Sequence, residues 1–368
     1  MAKSDDGIAA TEHPQDVDHI TADWLTSALR NSGAIKQANI VRMERLDFDS
    51  WPSYFSKIVR LKLEYDRQEQ DAPATVIVKG RPDVPEQREF GRQFRAFLRE
   101  IHFYREVAPT DKELNLPRCF YSWLDDATGD GIIILEDLSH LQCGDQLSAL
   151  DYEHAAATAK MIGTLHARWW NKPELNNLTW APLDKYTLAA HYSEHWPAFA
   201  HLYESKLSPQ SMQIGAVVAD RMHDILNVAK TRPHTLVHCD LRSDNLRMDP
   251  ANPAATVILD WQLVTRGLAA FDLVRLICES TDLDADAQKK LVAIWHHTLR
   301  ERGVTDYPLE HAWNDYELAL AIALYIPVIN ASLLTGASDR TAKLIDIMAH
   351  RFFHCAERLR LDEFLKRL

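Results

Sequence analysis

The feature that most constrains the fold is a change in hydrophobic pattern partway along the chain. Five segments have the alternating or short apolar pattern of β-strands: "ANIVRMERL", "SKIVRLKLEY", "TVIVKG", "RCFYSWL" and "GIIILEDL". From Asp151 onward the apolar residues recur at helical spacing, beginning with "DYEHAAATAKMIGTLHARWW". Strands with one helix, followed by mostly helices, predict an α+β fold with a small antiparallel sheet and a large helical remainder.

This change also predicts the division of the chain. Residues 1–15 are polar and acidic, and we expect them to be flexible. Residues 16–138 are predicted to form the sheet lobe, whose first helix starts at an N-cap on Thr21 and ends at Gly33. One further helix is predicted over "EFGRQFRAFLREIHFYREVAP". Residues 139–368 are predicted to form the helical lobe.

Composition narrows the range of functions. The chain of 368 residues has a formal net charge of -12, which disfavours nucleic acid or anionic lipid as a partner. The five cysteines are scattered without metal-like spacing, and no secretory signal is visible, so we expect a cytoplasmic protein. The apolar segment Leu318–Leu334 is shorter than the ~20 residues of a bilayer span, and we expect a buried helix there rather than membrane insertion.

The stretch "HCDLRSDNLRMDPANPAATVILDWQ" carries the most specific chemistry. Asp240 lies five residues before Asn245, and an apolar strand then leads to Asp260. One carboxylate can face a substrate hydroxyl, while two oxygen ligands suit Mg²⁺, which usually takes its remaining ligands from water and phosphate. Asp240 or Asn245 alone is equally typical of a turn.

The pattern His238-x-Asp240-x-x-x-x-Asn245 resembles the catalytic loop of the protein-kinase-like superfamily. The form is similar to that of aminoglycoside phosphotransferases, choline kinases and ecdysteroid-kinase-like proteins. The resemblance implies a two-lobed fold in which Asp240 is the catalytic base and Asp260 binds metal with Asn245. It also implies that His238 supports the loop and that Asp272, in "GLAAFDLVRL", holds it by hydrogen bonds.

The first half of the chain matches the same template. Lys79 ends "TVIVK", where kinases place the lysine that contacts the α and β phosphates. Of the acidic residues on the following helix, Glu100 lies on the inward face, and we expect it to orient Lys79. In "IIILEDL", backbone groups near Glu136 and Leu138 are expected to meet the adenine ring.

Two positions depart from the template. The segment "DFDSWPSYFSK" has no glycine where kinases let the backbone approach phosphates, so hydroxyl groups such as that of Ser53 are the expected donors. Gln262 stands where many aminoglycoside kinases have an acidic residue, which weakens the case for a second metal ion.

The resemblance therefore implies an ATP- and Mg²⁺-dependent kinase that phosphorylates a hydroxyl of a small molecule. Only eleven residues separate Asp260 from Asp272, too few for the regulatory segment of a protein kinase. The acceptor is either a cationic sugar or amine, or a neutral lipid, sterol or hydroxyacyl compound.

Other interpretations stay open at this point. A catalytically silent kinase-like protein would bind a nucleotide or metabolite without phosphoryl transfer, as the missing glycines suggest. A phosphohydrolase could use the same aspartates, but it leaves Lys79 and Glu100 without a role. Arg242 and Asp244 within the loop either face phosphate or substrate or are solvated.

Overall fold

The computed structural model describes residues 13–47, 55–183, 188–334 and 338–368. Its contacts divide the chain into two compact units. The first contains Met1–Gln142 and Val257–Leu263, and the second contains Cys143–Thr256 and Val264–Leu368. The short piece Val257–Leu263 thus belongs with the sheet although it follows several helices in sequence.

The first unit is built around a five-stranded antiparallel sheet with the strand order β1-β2-β3-β5-β4. The strands are β1 (Ile40–Leu46), β2 (Lys57–Tyr65), β3 (Thr75–Gly80), β4 (Cys119–Leu124) and β5 (Gly131–Glu136). All five were predicted as strands, and the small antiparallel sheet is confirmed. Because β3 lies between β2 and β5, the end of β3 is well placed to hold a side chain rigidly.

The first helix, α1 (Ala22–Asn31), begins and ends where the sequence predicted. The Thr21 hydroxyl accepts a hydrogen bond from the Trp24 N–H at 3.2 Å, which satisfies a helix N-terminal donor. Gly33 follows the helix with φ of 71°, a conformation that costs glycine little. The buried face of α1 packs on the sheet, with Leu25 and Leu29 in one apolar cluster with strand residues such as Val59.

The second helix of this unit differs from the prediction of one continuous helix over residues 89–109. The chain instead forms α2 (Pro85–Gln93) and α3 (Ala96–His102), followed by a π-helical turn over Phe103–Val107. The break has a local cause, since Arg95 has φ of 53°, outside the right-handed helical region. The hydrophobic spacing continues across Arg95, so periodicity alone did not reveal the interruption.

The second unit is mainly helical. Its helices are α4 (Tyr152–Trp169), α5 (Tyr192–Tyr203), α6 (Pro209–Thr231), α7 (Ala270–Ser280), α8 (Ala285–Glu301), α9 (Leu309–Ala323), α10 (Tyr325–Asn330), α11 (Asp339–Arg358) and α12 (Leu361–Arg367). Every residue of α7 is buried, so this helix is the centre of the unit. The strands β7 (His234–Val237) and β10 (Thr265–Leu268) pair in antiparallel register. The remaining short strands are β6 (Gln142–Cys143), β8 (Leu246–Met248) and β9 (Val257–Ile258).

Contacts near both ends of the segment Val257–Leu263 tie it to the rest of the first unit. The Ile258 N–H donates to the Asn115 carbonyl oxygen at 3.1 Å. The Trp261 ring stacks on Phe103 with 3.8 Å between centroids and an interplanar angle of 7°. Trp261 is fully buried, so its large apolar area contributes strongly to holding the segment in place.

One stretch of the second unit, Leu309–Leu334, is long and apolar enough to cross a membrane by length and composition, and its most apolar 18-residue window has a mean hydropathy of 1.8. In the structure 61% of its most apolar window is buried inside the protein. The same properties are typical of the core helix of a soluble protein, so the stretch is weak evidence for a membrane span.

We expect Trp261→Ala to lower the free energy of unfolding by about 3–5 kcal/mol, because it removes a fully buried aromatic ring. Denaturant unfolding followed by circular dichroism measures the change. Trp24→Ala is the matched control, since Trp24 is half-buried in the same unit and should cost less. An equal loss for both variants would contradict the packing role assigned to Trp261.

Candidate active site

The first unit brings three of the predicted residues together around one ammonium group. Lys79, at the end of β3, places Nζ 2.9 Å and 2.8 Å from the two carboxylate oxygens of Glu100 on α3. The same Nζ lies 2.9 Å from Oδ1 of Asp260. The sequence selected Glu100 from its helix by its inward position, and in the structure its side chain meets Lys79.

This cluster is removed from water, since Lys79 is 5% exposed and Glu100 is fully buried. Burial alone would lower the pKa of Lys79, but the charges of Asp260 and Glu100 outweigh it and raise that pKa to about 12. Burial raises the pKa of Glu100 to about 7, although Lys79 acts in the opposite direction. The lysine therefore stays cationic throughout the physiological range and can serve as a fixed positive charge.

Asp260 is the member of this cluster that reaches solvent, with its side chain 29% exposed. Its backbone has φ of 64°, in the left-handed region that non-glycine residues rarely occupy. The next residue, Trp261, donates its N–H to Glu100 and anchors the turn. Among the residues that the structure describes, none donates to Oδ2 of Asp260, so this oxygen fits a cation ligand.

In the second unit, the loop after β7 is held by the buried carboxylate of Asp272 on α7. Its Oδ2 accepts the His238 N–H at 2.7 Å, and its Oδ1 accepts the Cys239 N–H at 2.7 Å. Cys239 has φ of 80°, so these two bonds fix a strained backbone. The His238 ring lies beneath the loop, where Nδ1 accepts the Asp240 N–H at 3.1 Å.

A histidine that the sequence did not single out completes this support. His166 on α4 is fully buried, with Nε2 3.1 Å from Asp272 Oδ2. Its Nδ1 accepts the indole N–H of Trp295 at 3.0 Å, so a neutral ring must carry its proton on Nε2 and donate it to Asp272. No local motif marks His166, because its partner lies 106 residues away.

Asp240 is surrounded by protein donors. Arg242 Nε lies 3.2 Å from each of its oxygens, and a guanidinium nitrogen of Arg275 also donates to Oδ1. Burial would raise the pKa of Asp240, but the charges of Arg242 and Arg275 outweigh it and hold the pKa well below its usual range. Asp240 is therefore a carboxylate at any physiological pH.

Asn245 also contacts Asp240, through its amide nitrogen. Nδ2 donates to the Asp240 carbonyl oxygen at 2.8 Å and to Oδ2 at 3.0 Å. Both partners are acceptors, which fixes the amide orientation and turns Oδ1 away from them. No described residue donates to Oδ1, so this oxygen also fits a Mg²⁺ ligand. Within the ranges that the structure describes, no cluster of three or more His, Cys, Asp or Glu side chains has metal-binding geometry.

The remaining predicted residues are placed as follows. Glu136 ends β5, and its N–H donates to the Arg118 carbonyl oxygen at 2.8 Å. Leu138 is buried two residues later. Ser53 lies outside the described residues. Gln262 is buried with its amide nitrogen 3.5 Å from the Ser56 hydroxyl oxygen. These positions alone assign no nucleotide contact, and the adenine and phosphate roles stay predictions.

The loop residues that the sequence left undecided point inward. Arg242 bonds Asp240 as well as Gln146, and its Nη1 lies 2.9 Å from Asp244 Oδ2. Neither Arg242 nor Asp244 is simply solvated. Three other residues of this site, Arg275, Gln146 and Glu279, were not predicted from the sequence. Their only signal is that Arg275 follows Asp272 by three residues on one helix, a spacing that puts both on one face.

We expect Asp272→Asn to lower the free energy of unfolding by about 1–3 kcal/mol, because an amide nitrogen would face a backbone N–H and leave a buried donor unpaired. Hydrogen exchange of the peptide that spans His238 to Asp240 should accelerate. Asp315→Asn is the control, since Asp315 is an equally buried aspartate of the same unit, paired with Arg232. Equal acceleration in both variants would contradict the anchoring role.

The raised pKa of Glu100 gives a second expectation. A folded protein whose carboxyl pKa is raised binds the proton more tightly than the unfolded chain, so stability falls as pH rises through that interval. Relative to Glu100→Gln, the wild type should lose stability between about pH 4.5 and about pH 7. Urea unfolding of both proteins across this range measures the difference, in which other titrating groups cancel. A difference that stays flat or grows with pH would contradict this expectation.

Comparison with known proteins agrees with the fold and the motifs. The ecdysteroid kinase-like family model matches residues 52–304, more than half of the chain. A comparison with proteins of curated function found no match. Among solved structures, a Ralstonia eutropha JMP134 protein provisionally named an aminoglycoside phosphotransferase has 17% identity and a TM-score of 0.53, covering 93% of this chain and 97% of its own.

Two further structures have the same fold at lower identity. A point mutant of an aminoglycoside 2'-phosphotransferase in complex with GDP has 12% identity and a TM-score of 0.53, covering 90% of this chain and 97% of that one. The Plasmodium vivax ethanolamine kinase has 12% identity and a TM-score of 0.51, covering 84% and 81%. Together with the family match, these similarities establish that the chain belongs to the ecdysteroid kinase-like family and has the two-lobed α+β fold of protein-kinase-like proteins.

Proposed function

We propose that the protein is a small-molecule kinase that transfers the γ-phosphoryl group of MgATP to a hydroxyl of its substrate. The observation that carries the proposal is the buried contact of Lys79 with both Glu100 and Asp260. A lysine fixed by one carboxylate and placed beside a second, partly exposed one is suited to hold nucleotide phosphates next to their metal ion. A purely structural ion pair would not need the exposed carboxylate of Asp260.

Asp240 is the proposed catalytic residue. Because its pKa is held low, it is a weak base, and its main task would be to accept a hydrogen bond from the acceptor hydroxyl and aim the oxygen at phosphorus. The proton can move late, since phosphoryl transfer proceeds through a loose transition state with little bond formation to the nucleophile. The long, shared contacts from Arg242 Nε, at 3.2 Å to each oxygen, are the ones that the hydroxyl would replace.

Asp260 and Asn245 are the proposed ligands of Mg²⁺. Each presents an oxygen that no described residue occupies, in keeping with an ion that takes few ligands from protein and the rest from water and phosphate. When bound, the ion would neutralise charge on the transferred group. The backbone near Glu136 and Leu138 is proposed to meet the base of the nucleotide, and Ser53 a phosphate.

ATP is the proposed nucleotide, although a relative of this fold was crystallised with GDP, so GTP must be tested beside it. The acceptor is proposed to be a small molecule because the named relatives are an aminoglycoside 2'-phosphotransferase and an ethanolamine kinase.

We propose a cytoplasmic location, favoured by scattered cysteines, and no nucleic acid partner, favoured by the net charge of -12.

A catalytically silent, nucleotide- or metabolite-binding protein is the second candidate. It is favoured by the commitment of both Asp240 oxygens to protein donors, with Arg242 on each, Arg275 on Oδ1 and Asn245 on Oδ2. A carboxylate has about four acceptor positions, so a substrate must displace a donor before it can bind. The two candidates differ in turnover and not in nucleotide binding.

The decisive experiment is an acceptor screen by mass spectrometry with MgATP and, in parallel, MgGTP. The panel should contain amino sugars, amino alcohols, sterols and hydroxyacyl compounds, and a product heavier by one phosphoryl group identifies the acceptor. Asp240→Asn should reduce this transfer about 10²- to 10⁴-fold, because it removes the acceptor of the hydroxyl proton. Its thermal stabilisation by MgATP should be unchanged.

Asp315→Asn serves as the control, because it also neutralises a buried aspartate that is paired with an arginine. It should leave transfer near the wild-type rate. Transfer that survives Asp240→Asn would refute the catalytic assignment. MgATP binding without any phosphorylated product would favour the silent protein, and phosphate release without an acceptor would favour a phosphohydrolase.

A further inference from the structure

The side chains around Asp240 form a closed ring, referred to below as the Asp240 ring. Arg242 connects Asp240 to the amide oxygen of Gln146. The Gln146 amide nitrogen donates to Glu279 Oε1 at 2.7 Å, and Glu279 Oε2 forms an ion pair with Arg275 Nη1 at 2.8 Å. Arg275 Nη2 then returns to Asp240 Oδ1. The ring joins three separate segments of the second unit.

The backbone around the ring is also fastened. Arg351 on α11 donates from Nη1 to the carbonyl oxygens of Gln146, at 2.7 Å, and Glu279, at 3.1 Å. The Gln146 N–H donates to Asp244 Oδ1 at 2.7 Å. These bonds fix the two segments that carry the remote half of the ring, so its geometry does not depend on flexible side chains alone.

The remote members are buried more deeply than the base they encircle. Gln146 is 1%, Glu279 2% and Arg275 7% exposed. Burying Arg275 with the carboxylates of Asp240 and Glu279 costs desolvation that a well-packed apolar cluster would avoid, so such an arrangement is weak evidence for stability alone. Its specific effect is geometric, because a planar guanidinium that bridges two carboxylates has little freedom to rotate.

We propose that Arg275 and Glu279 are positioning residues for Asp240. Glu279 holds one nitrogen of the Arg275 guanidinium, and the other nitrogen fixes Oδ1 of Asp240 from the side of α7. The inference deepens the proposed phosphotransfer and rests on the assignment of Asp240 to it. It concerns residues outside the loop motif, at the C-terminal half of the helix that begins near Asp272.

Arg242 and Arg275 are the two cations that contact the Asp240 carboxylate, and they reach it from different elements. Arg242 belongs to the loop itself, whereas Arg275 approaches Oδ1 from α7. Removing the Arg275 guanidinium should therefore leave Oδ1 without its partner on that side and give the carboxylate more freedom to rotate.

The test follows the Asp240 carboxyl directly by NMR in the full-length protein labelled with [4-¹³C]aspartate. The resonance that disappears in Asp240→Asn identifies the group. At pH 7 this resonance should move in Arg275→Gln, because the carboxylate loses the guanidinium that fixes its Oδ1. Arg232→Gln is the matched control, because it breaks another arginine–aspartate pair of the same unit, with the buried Asp315. Its Asp240 resonance should stay at the wild-type position.

Glu279→Gln tests the second half of the proposal and keeps it falsifiable if Arg275→Gln does not fold. At pH 7 the Asp240 ¹³Cγ resonance should move in Glu279→Gln, although residue 279 does not touch Asp240, while resonances of aspartates outside the loop stay in place. An Asp240 resonance that stays in place in Arg275→Gln or in Glu279→Gln would overturn the inference.

Kinetics separates this inference from the proposed function. With an acceptor from the screen, Arg275→Gln should lower kcat about 10- to 100-fold and leave MgATP affinity unchanged, because a misplaced base slows chemistry without weakening nucleotide contacts. If no acceptor is phosphorylated but the NMR changes occur, the ring controls Asp240 and the kinase assignment fails. If transfer occurs and depends on Asp240 while the NMR is unchanged, only the ring assignment fails.

Discussion

The burial of one carboxylate, that of Asp272, is the constraint on which the loop of the second unit depends. A fully buried carboxylate is costly unless it is hydrogen-bonded, and Asp272 is satisfied by two consecutive backbone N–H groups and by His166. Those same N–H groups belong to His238 and Cys239, immediately before Asp240. The requirement to satisfy one charge therefore sets the backbone from which the proposed catalytic residue projects.

The same reasoning applies to the first unit, where the buried charge is the ammonium group of Lys79. Lys79 is buried and must find carboxylates, and Glu100 is buried and must find a cation. The pair satisfies both needs, and Asp260 adds an oxygen that is shared between the lysine and solvent. In each unit, a proposed functional side chain lies next to a buried charged group: Asp260 contacts Lys79, and Asp240 follows the backbone that Asp272 holds. The surrounding core fixes the position of each buried charge. Precision at these sites then follows from the electrostatics of the interior rather than from the rigidity of loops.

Much of this architecture could be predicted from the sequence, for identifiable physical reasons. The five strands and α1 were predicted because period-2 alternation, an N-cap at Thr21 and Gly33 are local signals. The break at Arg95 was missed because one left-handed residue leaves the apolar spacing intact. His166 and Gln146 were missed because their side-chain partners lie between 96 and 133 residues away in sequence, and nothing local encodes such contacts. The roles of Lys79, Glu100 and Asp260 toward a nucleotide stay predictions.

The left-handed backbone at Cys239 limits which residues can replace this cysteine in related chains. Cys239 has φ of 80°, a backbone conformation that is unfavourable for any residue with a Cβ. The hydrogen bond from its N–H to Asp272 helps to offset this conformational free energy in the folded protein. Glycine would remove that cost, and asparagine tolerates the same region, whereas valine or isoleucine would clash with its own backbone. Among related chains, variation at the residue before Asp240 should therefore report backbone geometry, and a cysteine there need carry no thiol chemistry.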